Sequence, residues 1–215
     1  MFIGNALLGL VGYGQEDTLE DSSKAAEDSK SDRLCGGALV TPPEGMSLLL
    51  HGRITGGVGK DMMVLTQWDS RSTLLRMVTA DQGPDDPNPG ILLETPECFP
   101  IAFLCCKDAA VRNFKLFKPD HSEFAVMTSE PGSSRVTVNR EDGTVMAFVC
   151  VDMMGHVANV VGRQGELLAT VSPQRKGNGG SESEDVRVLR LAPAVDAGVI
   201  VCALLVVMKL GIGHI

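Results

Sequence analysis

Between Asp196 and Lys209 the chain runs through twelve uninterrupted apolar or small residues, Ala197 to Met208. As a helix this run would be about 18 Å long at ~1.5 Å per residue, against a bilayer hydrocarbon core of about 30 Å. Lengthening it backwards to Leu191 buries Pro193 and Asp196, and lengthening it forwards meets Lys209, so a membrane-spanning reading is strained. A helix apolar on nearly every face must otherwise be surrounded by protein. Asp196 suits the exposed N–H groups of a first turn, and Lys209 and Gly211 suit a last turn and its termination. Ala197, Gly198 and Ala203 thin one side and permit close packing. The sequence therefore predicts a buried C-terminal helix over about residues 195–210.

The surround is legible upstream. From Gly36 onward, short apolar or alternating runs are separated by turn residues, the pattern of an all-β sandwich or barrel. The candidate strands are Met46–Ile54, Met62–Asp69, Thr73–Ala80, Ile91–Glu94, Ile101–Cys105, Val111–Lys118, Phe124–Thr128, Ser134–Asn139, Thr144–Val151, Val157–Val161, Leu167–Ser172 and Val186–Leu191. Asp142-Gly143 joins two alternating runs as a hairpin turn, and Gly162 to Gly165 forms a second one. Asp81–Gly90, with three prolines, and Lys176–Ser183 read as loops. The expected fold is mainly β: a closed antiparallel barrel of about twelve strands enclosing the C-terminal helix.

Residues 15–33 are acids, serines and lysines with few large apolar side chains, so residues 1–33 are expected to form a flexible acidic tail ahead of a barrel domain at 34–215. The chain carries a formal charge of −8, which sets its overall field against a nucleic-acid partner. Six cysteines, Cys35, Cys98, Cys105, Cys106, Cys150 and Cys202, form no CxxC pair. Two of them sit in apolar runs and the chain has no N-glycosylation sequon, which favours a reducing intracellular setting. The apolar stretch Met1 to Gly14 has no preceding base and runs into Glu16-Asp17, unlike a signal peptide.

Catalytic motifs are wanting. Gly56-Gly57-Val58-Gly59-Lys60-Asp61 imitates the end of a P-loop, but Ile54 replaces the first glycine and Asp61 the magnesium-binding hydroxyl. The segment from Asp86 to Glu97 lacks the glycine of a calcium loop, having Ile91 in its place. His51, His121, His156 and His214 are scattered, without ligand spacing. No hydrolase elbow or zinc-protease motif occurs, so a non-catalytic function is expected.

The run Gly165-x-Leu167-Leu168-Ala169-Thr170-Val171, a polar loop, and a strand leading into Pro193-x-Val195-Asp196-Ala197 and the apolar helix together resemble the end of the tubby C-terminal-like superfamily. That superfamily includes the phospholipid scramblases and the LURP-one-related proteins. The resemblance covers about the last 80 residues clearly and the chain from Arg33 more weakly. It implies a twelve-stranded barrel around a hydrophobic helix. What it implies for function is divided: tubby-type members bind phosphoinositide headgroups, scramblases are calcium-responsive, membrane-attached lipid proteins and LURP-one-related members have no agreed activity, and the fold does not choose among them. The first expectation is a lipid- or membrane-surface-binding protein, intracellular and either cytoplasmic or peripheral at the membrane, with an anionic phospholipid or membrane surface as its partner. Cys105-Cys106 resembles a reduced acylation cluster, and Lys107, Arg112, Lys115 and Lys118 are the candidate headgroup contacts that would supply a second membrane signal. The other reading of these residues is two cysteines ending a buried strand beside a solvated basic face. Glu182, Glu184 and Asp185 stand where the resemblance implies a calcium segment, without the ordered alternation of a calcium loop, and no other cofactor is expected. The alternative function is a regulatory module that binds a protein partner through its loops and has no lipid affinity.

Overall fold

Alternation of inward apolar residues with outward mixed ones defines twelve strands in the computed structural model: β1 Met46–His51, β2 Met63–Gln67, β3 Thr73–Ala80, β4 Gly90–Glu94, β5 Pro100–Asp108, β6 Asn113–Phe117, β7 Glu123–Thr128, β8 Arg135–Arg140, β9 Val145–Val151, β10 Ala158–Gly162, β11 Leu167–Pro173 and β12 Val186–Leu191. Among the described residues one helix, α1, follows over Ala197–Lys209. The described residues are 33–34, 39–51, 63–80, 90–108, 112–152, 154, 156–174 and 186–212. The chain divides into two units after Asp32, and of the expected tail over 1–33 all but Arg33 lies outside the described residues, Arg33 opening the second unit. The loops at 81–89 and 176–183 and the P-loop imitation also lie outside them.

Every strand is antiparallel to its neighbour in sequence, and β1 closes on β12 from Met46↔Leu191 to His51↔Val186. Closure leaves no unpaired sheet edge. Gly143, at φ +81°, makes the predicted Asp142-Gly143 turn: its N–H reaches the Arg140 carbonyl and Asp142 Oδ1 accepts the Thr144 N–H at 2.8 Å. Gly165, at φ +88°, closes the second hairpin.

All twelve strands contribute inward side chains to one core cluster, and α1 completes it: Leu48, Met63, Leu75, Leu93, Leu104, Leu116, Met127, Val138, Val149, Val160, Val171 and Leu189 meet Ile200, Leu204 and Leu205. Ala197 to Val207 are all buried, so the helix is apolar all round because barrel wall faces it on every side. No helix among the described residues is long and apolar enough to cross a membrane.

The helix is held at its entrance by a short strap. Thr41 exchanges backbone hydrogen bonds with Val195 and Ala194, and its hydroxyl donates to the Ala192 carbonyl at 2.6 Å while accepting the Val195 N–H at 2.9 Å. Asp196 is the N-cap, taking the N–H groups of Gly198 and Val199 at 2.9 and 3.3 Å. At the other end Gly211, at φ +63°, terminates the helix, and Ile212 folds back with its N–H on the Val207 carbonyl.

Candidate functional site

Inward positions on β3–β6, such as Met77, Leu93, Leu104 and Leu116, belong to the core. The residues between them must face outwards. Register places these in direct rows across the wall. Val78 pairs with Leu92, Leu92 with Phe103 and Phe103 with Phe117, an apolar row four strands wide on the outside of the barrel. Val78, Leu92 and Phe103 are half-buried, and Phe117 is buried. The neighbouring row runs Ala80, Gly90, Cys105, Lys115 and Val126.

Gly90 is required where it stands. A Cβ there would meet the Phe103 ring at 2.5 Å and the Leu104 carbonyl oxygen at 2.7 Å, so the ring covers the glycine and fixes part of the wall. Towards the turns joining β2 to β3 and β4 to β5, Arg76 pairs with Glu94 at 3.6 Å and donates to the Cys98 thiol at 3.3 Å. Those turns present Trp68 and Phe99, 38% and 67% exposed, with the Arg71 guanidinium 5.6 Å from the indole centre.

The four predicted headgroup bases are strung along the wall rather than gathered. Lys107 falls at a register shift in β5 between Cys106 and Asp108. Arg112 sits in the turn before β6 at φ +52°, and its carbonyl accepts the Ser129 N–H. Lys115 faces out from mid-strand but is ion-paired with Glu123, and Lys118 lies at the other end of β6, 5.5 Å from the centre of the Phe124 ring. From Arg112 to Lys118 is about 20 Å at ~3.3 Å per strand residue. Sequence proximity therefore becomes a spread over β5, β6 and the turns flanking β6, with Lys115 already neutralised.

The two predicted acyl cysteines face opposite ways. Cys106 is half-buried against the core, and Cys105 lies in the outer row beside Lys115 with only 1% of its surface exposed. Among the described residues the exposed thiols are Cys98 and Cys150, which the spacing of the cysteines does not single out. Glu182, Glu184 and Asp185 lie outside the described residues, and no group of three metal-ligating side chains occurs among the described ones.

One titratable group in the wall is visibly perturbed. His51 places Nε2 3.0 Å from the Thr66 hydroxyl, and burial, helped by the nearby Arg71 charge, lowers its pKa from the ordinary 6.5. The ring is held towards its neutral form, with Nε2 satisfied by the Thr66 hydroxyl.

A scan of known protein families finds no match to this chain, and a search of curated proteins finds none either. Among solved structures, the crystal structure of a protein from Arabidopsis thaliana superposes with a TM-score of 0.55 at 15% identity, covering 80% of this chain and 97% of that one. The likeness spans nearly all of the plant protein and defines the class: a closed twelve-stranded barrel with a C-terminal helix in its core.

Proposed function

We propose that this chain is a non-catalytic lipid- or membrane-surface-binding barrel of the tubby C-terminal-like kind, similar to phospholipid scramblases and LURP-one-related proteins. The observation that carries the reading is the outward row Val78–Leu92–Phe103–Phe117, with Lys115 in the neighbouring row and Arg112 and Lys118 flanking β6. Val78, Leu92 and Phe103 keep part of their apolar surface on the outside of a closed barrel, apart from its core, and we read the row as an interaction surface. A membrane interface suits it because the same wall ends in exposed Trp68, a residue type favoured where one end is apolar and the other wet, beside the exposed apolar ring of Phe99.

The energetics draw on apolar contact as well as charge. Covering the remaining exposed surface of each half-buried wall residue yields about 1 kcal/mol, and each base near an anionic leaflet adds about 1 kcal/mol. With Lys115 occupied by Glu123, the apolar terms of Val78, Leu92 and Phe103 are comparable in size to those of the remaining bases. Salt should therefore weaken binding without abolishing it, since screening acts only on the charges.

The test is flotation of the protein with vesicles of phosphatidylcholine alone, with phosphatidylserine, and with phosphoinositide, with and without calcium, at two salt concentrations. Co-flotation with anionic vesicles that persists in part at high salt supports the reading. Absence of flotation on every vesicle overturns it in favour of a module that binds a protein partner.

A further inference from the structure

Outside that wall, an open groove of about 570 Å3 lies against β7, β8 and the loop between them. Its floor is the outward pair Thr128↔Thr137, and its wall is the loop containing Ser129, Glu130 and Ser133, with Arg135 at the start of β8. The loop is tied at both ends. Ser129 Oγ donates to the Arg135 carbonyl at 3.0 Å, Ser133 Oγ accepts the Arg135 N–H at 3.1 Å, and Gly132, at φ +77°, lets the Ser133 N–H reach the Glu130 carbonyl. The groove is thus preformed.

Two opposite charges line it without meeting. The Arg135 guanidinium lies 3.6 Å from the centre of the Phe148 ring, which fixes its plane while leaving its N–H edge to other partners. Neither Arg135 nor Glu130 forms an ion pair among the described residues. The floor row starts one strand earlier at Asn113, opposite Thr128, where a buried Oδ1 has no hydrogen-bond partner among the described residues. A guanidinium matches the paired oxygens of phosphate or carboxylate, and a separate carboxylate matches an ammonium.

We infer that the groove binds a small zwitterion, an oxyanion joined by a short link to an ammonium, with Arg135 taking the oxyanion and Glu130 the amine. The volume fits such a molecule with room to spare. Phosphoethanolamine has this chemistry, either free or as the headgroup of a phospholipid. The inference stands independently of the apolar wall.

The test is an amide-resolved NMR titration of the intact chain with phosphoethanolamine, inorganic phosphate and ethanolamine at constant ionic strength. Phosphoethanolamine should bind at least about tenfold more tightly than either half, with shifts centred on residues 128–137, a gain of ~1.4 kcal/mol. Arg135→Gln should abolish binding of both phosphate compounds. Glu130→Gln should weaken phosphoethanolamine and strengthen inorganic phosphate, because it removes an attraction from one and a repulsion from the other. Both side chains are exposed, so an unchanged melting temperature checks the fold of each variant. Equal affinity for phosphate and phosphoethanolamine, insensitivity to Glu130→Gln, or shifts elsewhere would overturn the inference. If the site is confirmed, loss of flotation by Arg135→Gln on phosphatidylethanolamine vesicles assigns the lipid headgroup as source, and unchanged flotation assigns the free compound.

Discussion

The backbone N–H of Leu34 donates to Asp196 Oδ2 at 2.9 Å, while Oδ1 of the same carboxylate caps the buried helix. One side chain therefore joins residues 162 positions apart and fixes where the plug enters the barrel. Burial raises the Asp196 pKa above its ordinary 3.8, outweighing the N–H groups of Leu34, Val199 and Gly198 and the charge of Arg33, which pull it down.

Asp196→Asn is expected to destabilise the protein by about 1 kcal/mol, because an amide has one acceptor oxygen for three donors. The cost should shrink as pH rises. A carboxyl raised in the folded state binds more protons folded than unfolded between 3.8 and its raised value, so wild-type stability falls as pH climbs through that window. The variant has no such titration. Denaturant midpoints of both proteins from pH 4 to pH 7 check this, and a cost that grows with pH would show that the N–H groups dominate instead.

His51 titrates with the opposite sense. Its folded pKa lies below 6.5, so between the two values the unfolded chain binds more protons and stability is lost as pH falls. His51→Gln should remove that component and flatten the stability profile below pH 6.5. Matched urea titrations at pH 7 and pH 5 measure it, and parallel profiles for the two proteins would refute the assignment.

Gly90→Ala should destabilise by about 1–3 kcal/mol, the usual range for overpacking. The added methyl meets both the Phe103 ring and the Leu104 carbonyl. Adding Phe103→Ala removes the first clash and leaves the second, so the double variant should not return to the stability of Phe103→Ala alone. Thermal melts of the three variants decide it, and full additivity between the substitutions would contradict the packing described.

The barrel was legible because its signals are local. Each of the twelve strands overlaps a run bounded by turn residues, and Asp196, Lys209 and Gly211 mark the ends of the helix. Boundaries moved where closure adds pairing: β5 runs on to Asp108, past the expected end at Cys105, because Cys106 and Asp108 still find partners in β6. The wall could not be read in the same way. In Ile91-Leu92-Leu93 or Ile101–Cys106, a continuous apolar run hides which residues face out, and only the register of four strands aligns Leu92 with Val78 and Phe103. The bases between Lys107 and Lys118 were visible as a cluster in the chain, but the pairing of Lys115 with Glu123 arises from β6 lying beside β7. The groove at Arg135 and Glu130 likewise depends on loop geometry that spacing does not encode.

The most direct measurement compares vesicle flotation of Leu92→Asp with that of Leu167→Asp, both checked for cooperative thermal unfolding. Leu92 is half-buried in the wall, whereas Leu167, on β11, is 56% exposed and lies outside it. Each variant adds the same charge, so only position differs. The account predicts that Leu92→Asp lowers binding to anionic vesicles by about tenfold or more, the equivalent of ~1.4 kcal/mol, while Leu167→Asp leaves it nearly unchanged. Equal losses, or a larger loss at Leu167, would contradict a lipid surface on β3–β6.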